Sequence, residues 1–372
     1  MVDNKNAKFV DRTLNKVDPK MAKIFMPWIL KHPKSMYRML KLAKAYRKSR
    51  NVRGTEFLKG LKVPPFLILS IRSHCNLKCT GCYAAATGTL YNQRINENLN
   101  LEQWTKIIEE ARELGVFAFI IAGGEPFLMP DLLNICEKFK DRLFLIFTNG
   151  TILGNKDIEK LKGLRNTIII VSIEGDQNLT DRRRGVGVYE KIISTLNRLD
   201  SQGVMSGISV TINRNNVKFW INSNNIDNLI TKGVRLAFFL EYIPVDNDTE
   251  LMLTKEESIA FREAILNFRE TKQIFLIHSP GDEEYMGGCI SAGRGFAHIT
   301  PTGDLTPCPV SNIVTHNLSK STLREGLDSE LFKTIRENEH LLETNGSPCA
   351  LFSNSEELNT IVKRVKAYRT SV

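Results

Sequence analysis

Three cysteines fall within eight residues, Cys75-Asn-Leu-Lys-Cys79-Thr-Gly-Cys82. Thiolates this close can hold one metal centre, and soft sulfur ligands select zinc or an iron–sulfur cluster. A zinc ion needs a fourth ligand, which His74 could supply. A four-iron cube on three cysteines instead leaves one iron without a protein ligand, an arrangement suited to binding a molecule at iron. Cys289, Cys308 and Cys349 form a later group, and Cys136 is the seventh cysteine. An odd count, with no apolar signal segment in the opening Met-Val-Asp-Asn-Lys-Asn, points to a cytoplasmic protein with metal or thiol chemistry rather than a disulfide framework. The six histidines lack ligand spacing.

The elements that must position these residues alternate. After Pro64-Pro65, strands are expected over 66–71, 116–122, 143–148, 167–173, 207–212 and 236–243, with helical stretches between them. Strand–helix alternation implies right-handed β-α units on a parallel sheet, here a partial six-unit barrel short of the complete eight. The fold class is therefore α/β. The first cysteines directly follow the first strand, where barrel active sites form. Five segments are expected: a basic helical leader (1–63), the partial barrel (64–248), a helical connection (249–285), a small cysteine-containing domain (286–352) and a helical tail (353–372).

At 372 residues, 42% hydrophobic and 25% charged, the chain has ordinary globular composition. No apolar run approaches the eighteen or so residues of a membrane span. The net charge of +10 is unevenly spread: residues 1–63 hold seventeen Lys/Arg against four Asp/Glu, leaving a slightly acidic remainder. Within the leader, Met36, Met39, Leu40 and Ala43 share one helical face, with Lys34, Arg38, Lys41 and Lys48 opposite. Such a helix either packs its apolar face on the barrel or lies on an anionic membrane, through residues 21–50. Nucleic-acid binding ranks below both.

The C-x3-C-x2-C loop, its place after the first strand and the turn Ala122-Gly123-Gly124-Glu125-Pro126 after the second resemble the radical S-adenosylmethionine (SAM) superfamily, over roughly 65–245. The resemblance implies a [4Fe–4S] cluster on Cys75, Cys79 and Cys82 that chelates SAM. The cluster's electron would cleave SAM to methionine and a deoxyadenosyl radical, which abstracts a substrate hydrogen. It further implies Gly123, Gly124 and Glu125 at the cofactor ammonium, and Ser172 and Glu174 toward its ribose and methionyl end. Arg184, or Arg183 by a one-residue shift, would pair with its carboxylate. Thr211 and Asn213, with Tyr242–Pro244, would stand on the adenine side. Many relatives carry an aromatic residue just before the third cysteine; here Gly81 stands there and the aromatic is Tyr83.

Cys289, Gly303 and Cys308 resemble the opening of SPASM and twitch auxiliary domains, whose later cysteines are reduced here to Cys349. The resemblance implies a truncated domain with one auxiliary [4Fe–4S] cluster on Cys289, Cys308 and Cys349. Its fourth iron would be open, bound by substrate or held by a non-cysteine ligand. Peptide or protein substrates are favoured by the SPASM likeness, a lipid or isoprenoid by the leader. A ferredoxin or flavodoxin would supply electrons. The alternative outside catalysis is an iron–sulfur electron carrier or scaffold.

Overall fold

The computed structural model describes residues 24–26, 28–30, 32, 34–90, 97–244, 249–344 and 346–370. Six strands form where alternation places them: β1 (Phe66–Arg72), β2 (Ala118–Gly123), β3 (Leu143–Thr148), β4 (Thr167–Ser172), β5 (Ser206–Ile212) and β6 (Leu236–Glu241). They pair in parallel in chain order. The result is a partial barrel.

Two strands extend it. The stretch expected as a purely helical connection contains β7 (Phe275–Ser279), parallel to β6. On the opposite side, β8 (Phe296–Ile299) lies parallel to β1, and β9 (Asp304–Thr306) returns antiparallel to β8 through the turn Pro301-Thr302-Gly303. The late cysteine segment thus shares the barrel's own sheet. Strands β10 (Ile313–Val314), β11 (His316–Asn317) and β12 (Tyr368–Arg369) close this end, with β11 on β9 and β10 on β12.

The helices, in chain order, are α1 (Lys34–Leu58), α2 (Tyr83–Ala86), α3 (Leu101–Glu113), α4 (Leu132–Lys138), α5 (Asn155–Gly163), α6 (Gln177–Arg184), α7 (Val188–Ser201), α8 (Val217–Ile221), α9 (Ser223–Thr231) and α10 (Lys255–Thr271). Short helices α11 (Leu323–Leu327) to α15 (Ser355–Arg364) follow. Local signals explain several of them. Asn100 and Gln103 cap the start of α3 reciprocally, each side chain accepting from the other's amide at 2.9 Å. Trp104, Ile107, Ile108 and Ala111 then repeat at helical spacing and are buried. The helical stretch between β5 and β6 is α8 and α9, divided at Asn222, whose side chain accepts from the Asn224 amide at 3.1 Å.

Alternation along each strand separates two environments. Leu67, Leu69, Phe119, Ile121, Phe144, Ile146, Ile169 and Val171 join the helices in the main core. Leu145, Ile170, Leu236 and Phe238 form a separate cluster on the concave side. Toward the carboxyl ends that concave face turns polar, through Ser70, Ser172 and Thr211 on the same parity.

The leader's outcome is mixed. Ile24 and Trp28 are buried, with the Trp28 and His32 rings 4.9 Å apart. The second half of α1 docks at the amino ends of the strands: Arg53 donates to the Gly115 carbonyl at 2.6 Å, and Tyr46 meets Phe117 edge-on. The apolar face of the first half does not pack on the barrel. Met36, Tyr37 and Leu40 are 54, 62 and 66% exposed.

Candidate active site

The cysteine loop leaves the carboxyl end of β1, and its last cysteine, Cys82, caps α2. All three thiols are reduced and half-buried. Burial raises the Cys75 and Cys79 thiols above their ordinary values, and each also feels the charge of a neighbouring cysteine: Cys79 acts on Cys75, and Cys82 on Cys79. Opposing this, Arg184 and Arg183 pull Cys79 down. Cys75 Sγ accepts from the Leu77 amide at 3.5 Å and from Asn149 Nδ2 at 3.8 Å. The imidazole of His74 is exposed, and among the described residues no three His, Cys, Asp or Glu side chains close around a single ion. The zinc alternative therefore finds no geometry here. A four-iron cube separates its ligands more widely than one ion does, and it suits three half-buried thiols carried on one loop, of which Cys79 acts on Cys75 and Cys82 on Cys79.

The Gly-Gly-Glu turn is built against this loop. The Gly124 amide donates to the Arg72 carbonyl at 2.8 Å and the Glu125 amide to the His74 carbonyl at 2.9 Å. A Cβ on Gly124 would stand 1.9 Å from the His74 carbonyl oxygen, so the backbone that these glycines admit closely is the cysteine loop itself. Gly123, at φ 106°, packs over Ser70 in the same way. Glu125 is buried and its oxygens are occupied within the fold. Oε1 accepts from Thr148 Oγ1 at 2.7 Å and the Phe127 amide at 3.1 Å, and Oε2 from the Asn149 amide at 2.8 Å. Burial raises its carboxyl despite these donors. Asn149, thus fixed, also donates to Asn76 Oδ1 at 2.8 Å. Gly124→Ala is expected to push the loop out of register and cost the radical-cluster iron while the far-ultraviolet dichroism stays near wild type. Iron analysis with dichroism checks this, and full iron content would refute it.

The arginine run is neither a loop nor a solvated surface patch. It is the last turn of α6, which ends at Gly185. Both Arg183 and Arg184 turn inward to one acceptor, Glu174 Oε1. Arg184 reaches it through Nε at 2.8 Å and Nη2 at 2.5 Å, and Arg183 through Nη1 at 2.5 Å. Arg183 continues to the Thr80 carbonyl (3.1 Å), the Gly81 carbonyl (3.2 Å) and Thr211 Oγ1 (3.1 Å). It therefore clamps the cysteine loop to β4 and β5. Burial works against the Arg184 charge, but Glu174 with the Cys79 and Cys82 thiols outweighs it and holds the guanidinium above its usual value. Glu174 Oε2 is buried with no hydrogen-bond partner. A cationic pair and an orphaned carboxylate oxygen beside three thiols fit a small zwitterion bound at a cluster.

Tyr242 follows β6 and is buried, its amide donating to the Ile212 carbonyl at 2.8 Å. Its ring lies 3.1 Å from where a Gly81 Cβ would stand, and Gly81 has φ 64°. The position lacking the aromatic residue is thus roofed by one from another strand. Tyr83 points elsewhere. Burial raises its phenol, which contacts the Ser70 hydroxyl and the Gly123 amide.

Sequence reasoning passed over His298, on β8. Its Nδ1 lies 2.7 Å from Thr306 Oγ1 and its Nε2 2.8 Å from Ser70 Oγ. Because Thr306 Oγ1 donates to the Cys308 carbonyl at 3.1 Å, it accepts from Nδ1–H, leaving Nε2 to accept from Ser70. A buried polar chain therefore runs from the first cysteine loop to the second cysteine set. Burial lowers the His298 pKa from 6.5 to about 3. The unfolded chain then binds a proton the folded one refuses. The stability present above pH 6.5 is lost as pH falls toward 3, by roughly 4–5 kcal/mol. His298→Gln is expected to flatten this acid limb in urea titrations between pH 6.5 and 4; an unchanged slope would refute it.

Cys289, Cys308 and Cys349 come together beside the β8–β9 hairpin. All three are buried and reduced, and Cys308 feels the charges of both Cys289 and Cys349. Burial pushes Cys289 up to about 12 and Cys349 up to about 11. Thiols held so far up are poor anions alone, and a bound cluster is what would deprotonate them. Three buried thiols in one place, with no disulfide, fit a cluster's donor set.

With this geometry in place, comparison decides the family. Residues 69–218, from β1 through the start of α8, match the family model of the Radical SAM superfamily. The barrel is a radical SAM domain. These residues match a superfamily of enzymes that use a [4Fe–4S] cluster and SAM. Among curated relatives, Fe-coproporphyrin III synthase of Methanosarcina barkeri is 29% identical over 166 residues, which are 44% of this chain and 40% of that protein. PqqA peptide cyclase of Rhizobium meliloti is 26% identical over 288 residues, 73% of this chain and 74% of that one. Among solved structures, Streptococcus suis SuiB bound to precursor peptide SuiA aligns with TM-score 0.64 at 19% identity, covering 78% of this chain and 70% of that one. It shares the fold.

Proposed function

We propose that this radical SAM enzyme modifies a peptide or protein substrate, with Cys75, Cys79 and Cys82 as ligands of the radical cluster. The observation that carries the assignment is the inward-turned Arg183–Arg184–Glu174 group beside the three thiols. An electron carrier has no use for it. Bound at this loop, a [4Fe–4S] cluster with SAM would supply a deoxyadenosyl radical. The protein's own residues do the rest. Arg184, whose Nε and Nη2 are held by Glu174 Oε1, would offer Nη1 to the cofactor carboxylate, and the orphaned Glu174 Oε2 would accept from a cofactor donor. Ser172 and Thr211 offer hydroxyls on the concave face, and Tyr242 shields the adenine side. Gly123 and Gly124 seat the loop, and Glu125 fixes that turn. A ferredoxin or flavodoxin supplies the electron.

The likeness to a peptide cyclase along 73% of the chain supports a peptide substrate, as does the position of the leader. Its docked half sits at the amino ends of the strands, and the cysteines stand at the carboxyl ends. A membrane touched by the leader would face away from the reactive end. The test is deuterium transfer. Reconstituted enzyme is given SAM, reductant and either the peptide or the lipid fraction of cells grown on deuterated medium. Label in 5′-deoxyadenosine from the peptide fraction is expected; label from the lipid fraction alone would overturn this reading.

A second property rests on the exposed Met36, Tyr37 and Leu40 among the lysines of α1. We propose peripheral contact with anionic lipid. None of the described helices is long and apolar enough to cross a membrane. Flotation with phosphatidylglycerol vesicles is expected for wild type and lost in Met36→Ser/Tyr37→Ser/Leu40→Ser; equal behaviour of the two forms would remove the idea.

A further inference from the structure

The second cysteine set supplies three thiols, and a four-iron cube has four corners to ligate. What occupies the fourth position decides whether one iron is open to ligands from outside.

One carboxylate stands within this set. Glu283 lies in the turn after β7, where its Oε1 accepts from Ser279 Oγ at 2.8 Å and its amide donates to the Pro280 carbonyl at 2.8 Å. The side chain reaches the thiol of Cys289 and the amide of Ile290, and it is near enough to Cys349 for its charge to act there. Its backbone is tied to the same loop, since the Gly288 amide donates to the Glu283 carbonyl at 3.0 Å. Cys289 is held from the other side, its amide donating to the Leu342 carbonyl at 2.7 Å. Arg294 Nη1 donates to the Cys289 carbonyl at 2.5 Å, placing a cation beside the group. The other acidic residues of this turn are committed elsewhere: Asp282 accepts from Arg269 at 2.7 Å and from the His278 amide at 2.9 Å, and Glu284 pairs with Arg262. Ser291 Oγ, 3.3 Å from Cys289 Sγ, and Ser347 Oγ, which accepts from the Cys349 amide at 3.3 Å, are also close to these cysteines, and both are neutral.

We propose that Glu283 is the fourth ligand of the auxiliary cluster, completing a three-cysteine, one-carboxylate set with Cys289, Cys308 and Cys349. The proposal rests on the auxiliary-cluster reading. A hard oxygen at one corner of a sulfur-ligated cube makes that iron distinct from the other three and the easiest to displace. The auxiliary cluster is then closed in the resting enzyme, and substrate does not bind at its iron.

The test uses the full chain carrying Cys75→Ala/Cys79→Ala/Cys82→Ala, so that any remaining cluster is the auxiliary one. After anaerobic reconstitution, about four irons per chain are expected. The electron paramagnetic resonance signal of the reduced protein should be unchanged by millimolar imidazole or cyanide. Adding Glu283→Ala should open one iron, so that the same probes shift the g-values. Adding Glu283→Cys should restore four irons and insensitivity to the probes, with a changed signal. That variant guards against Glu283→Ala merely failing to fold. If the triple variant binds no iron, the auxiliary-cluster reading falls and the ligand assignment with it. If it binds iron but responds to imidazole with Glu283 intact, or if Glu283→Ala matches its parent in signal and probe response, the assignment alone is overturned.

Discussion

Cys79→Ala is expected to abolish reductive cleavage of SAM in the reconstituted protein, leaving deoxyadenosine at the level of the no-enzyme control. The central cysteine of the loop is the one both neighbours depend on. Its charge acts on Cys75, that of Cys82 acts on it, and Arg184 and Arg183 pull its thiol down. Removing it leaves two thiols, too few to hold a cube. Iron should fall from about eight to about four per chain, because the second set is untouched. The substituted side chain is small and lies in a loop, so the variant should fold. Turnover by the Cys79→Ala protein would remove Cys79 from the cluster ligands, and no turnover by the intact, fully loaded protein would sink the radical reading. Wild-type protein with only four irons would remove the auxiliary cluster instead.

The second large effect belongs to Glu174. Its Oε1 is the shared acceptor of two guanidinium groups, and all three side chains are largely buried. Glu174→Ala leaves two cations facing each other without their anion. Breaking a buried pair from one side costs about 3–5 kcal/mol, because the surviving charge stays desolvated. The loss should appear in urea unfolding of iron-free protein, where cluster binding cannot compensate. Arg184→Lys keeps the charge but forfeits the two-pronged contact and should cost less. A change below about 1 kcal/mol for Glu174→Ala would mean the group behaves as a solvent-exposed pair. Because Arg183 also holds the Thr80 and Gly81 carbonyls, the cluster loop of this variant should load iron more slowly.

These two residues show unequal legibility. Cys79 is readable because three thiols at short spacing have few uses. Glu174 and the arginines were readable as a neighbourhood by resemblance, but the bidentate target of Arg184 was not. In sequence it is a basic run, and only the inward turn of α6 shows that the partner is a glutamate ten residues earlier. The strands β1–β6 were legible from alternation. The seventh, β7, was masked because Phe-Leu-Ile-His-Ser follows directly on the long α10 and reads as its continuation. The pairing of β8 with β1 joins residues more than two hundred positions apart, and no local pattern encodes it. His298 was passed over for the same reason, since its Ser70 partner is supplied by that pairing. In the leader, helical periodicity picks out an apolar face, but periodicity cannot say whether anything covers it.

The pairing of β8 with β1 also bears on which parts of this chain can be separated. Without the segment after residue 285, β1 would become an edge strand, offering unpaired amides and carbonyls along Phe66–Leu69. Flat apolar edges of this kind recruit other chains. A truncated barrel should therefore self-associate rather than persist as a minimal catalyst. The late cysteine segment then doubles as an edge guard, and its loss should be read first as a solubility defect and only second as a missing redox centre.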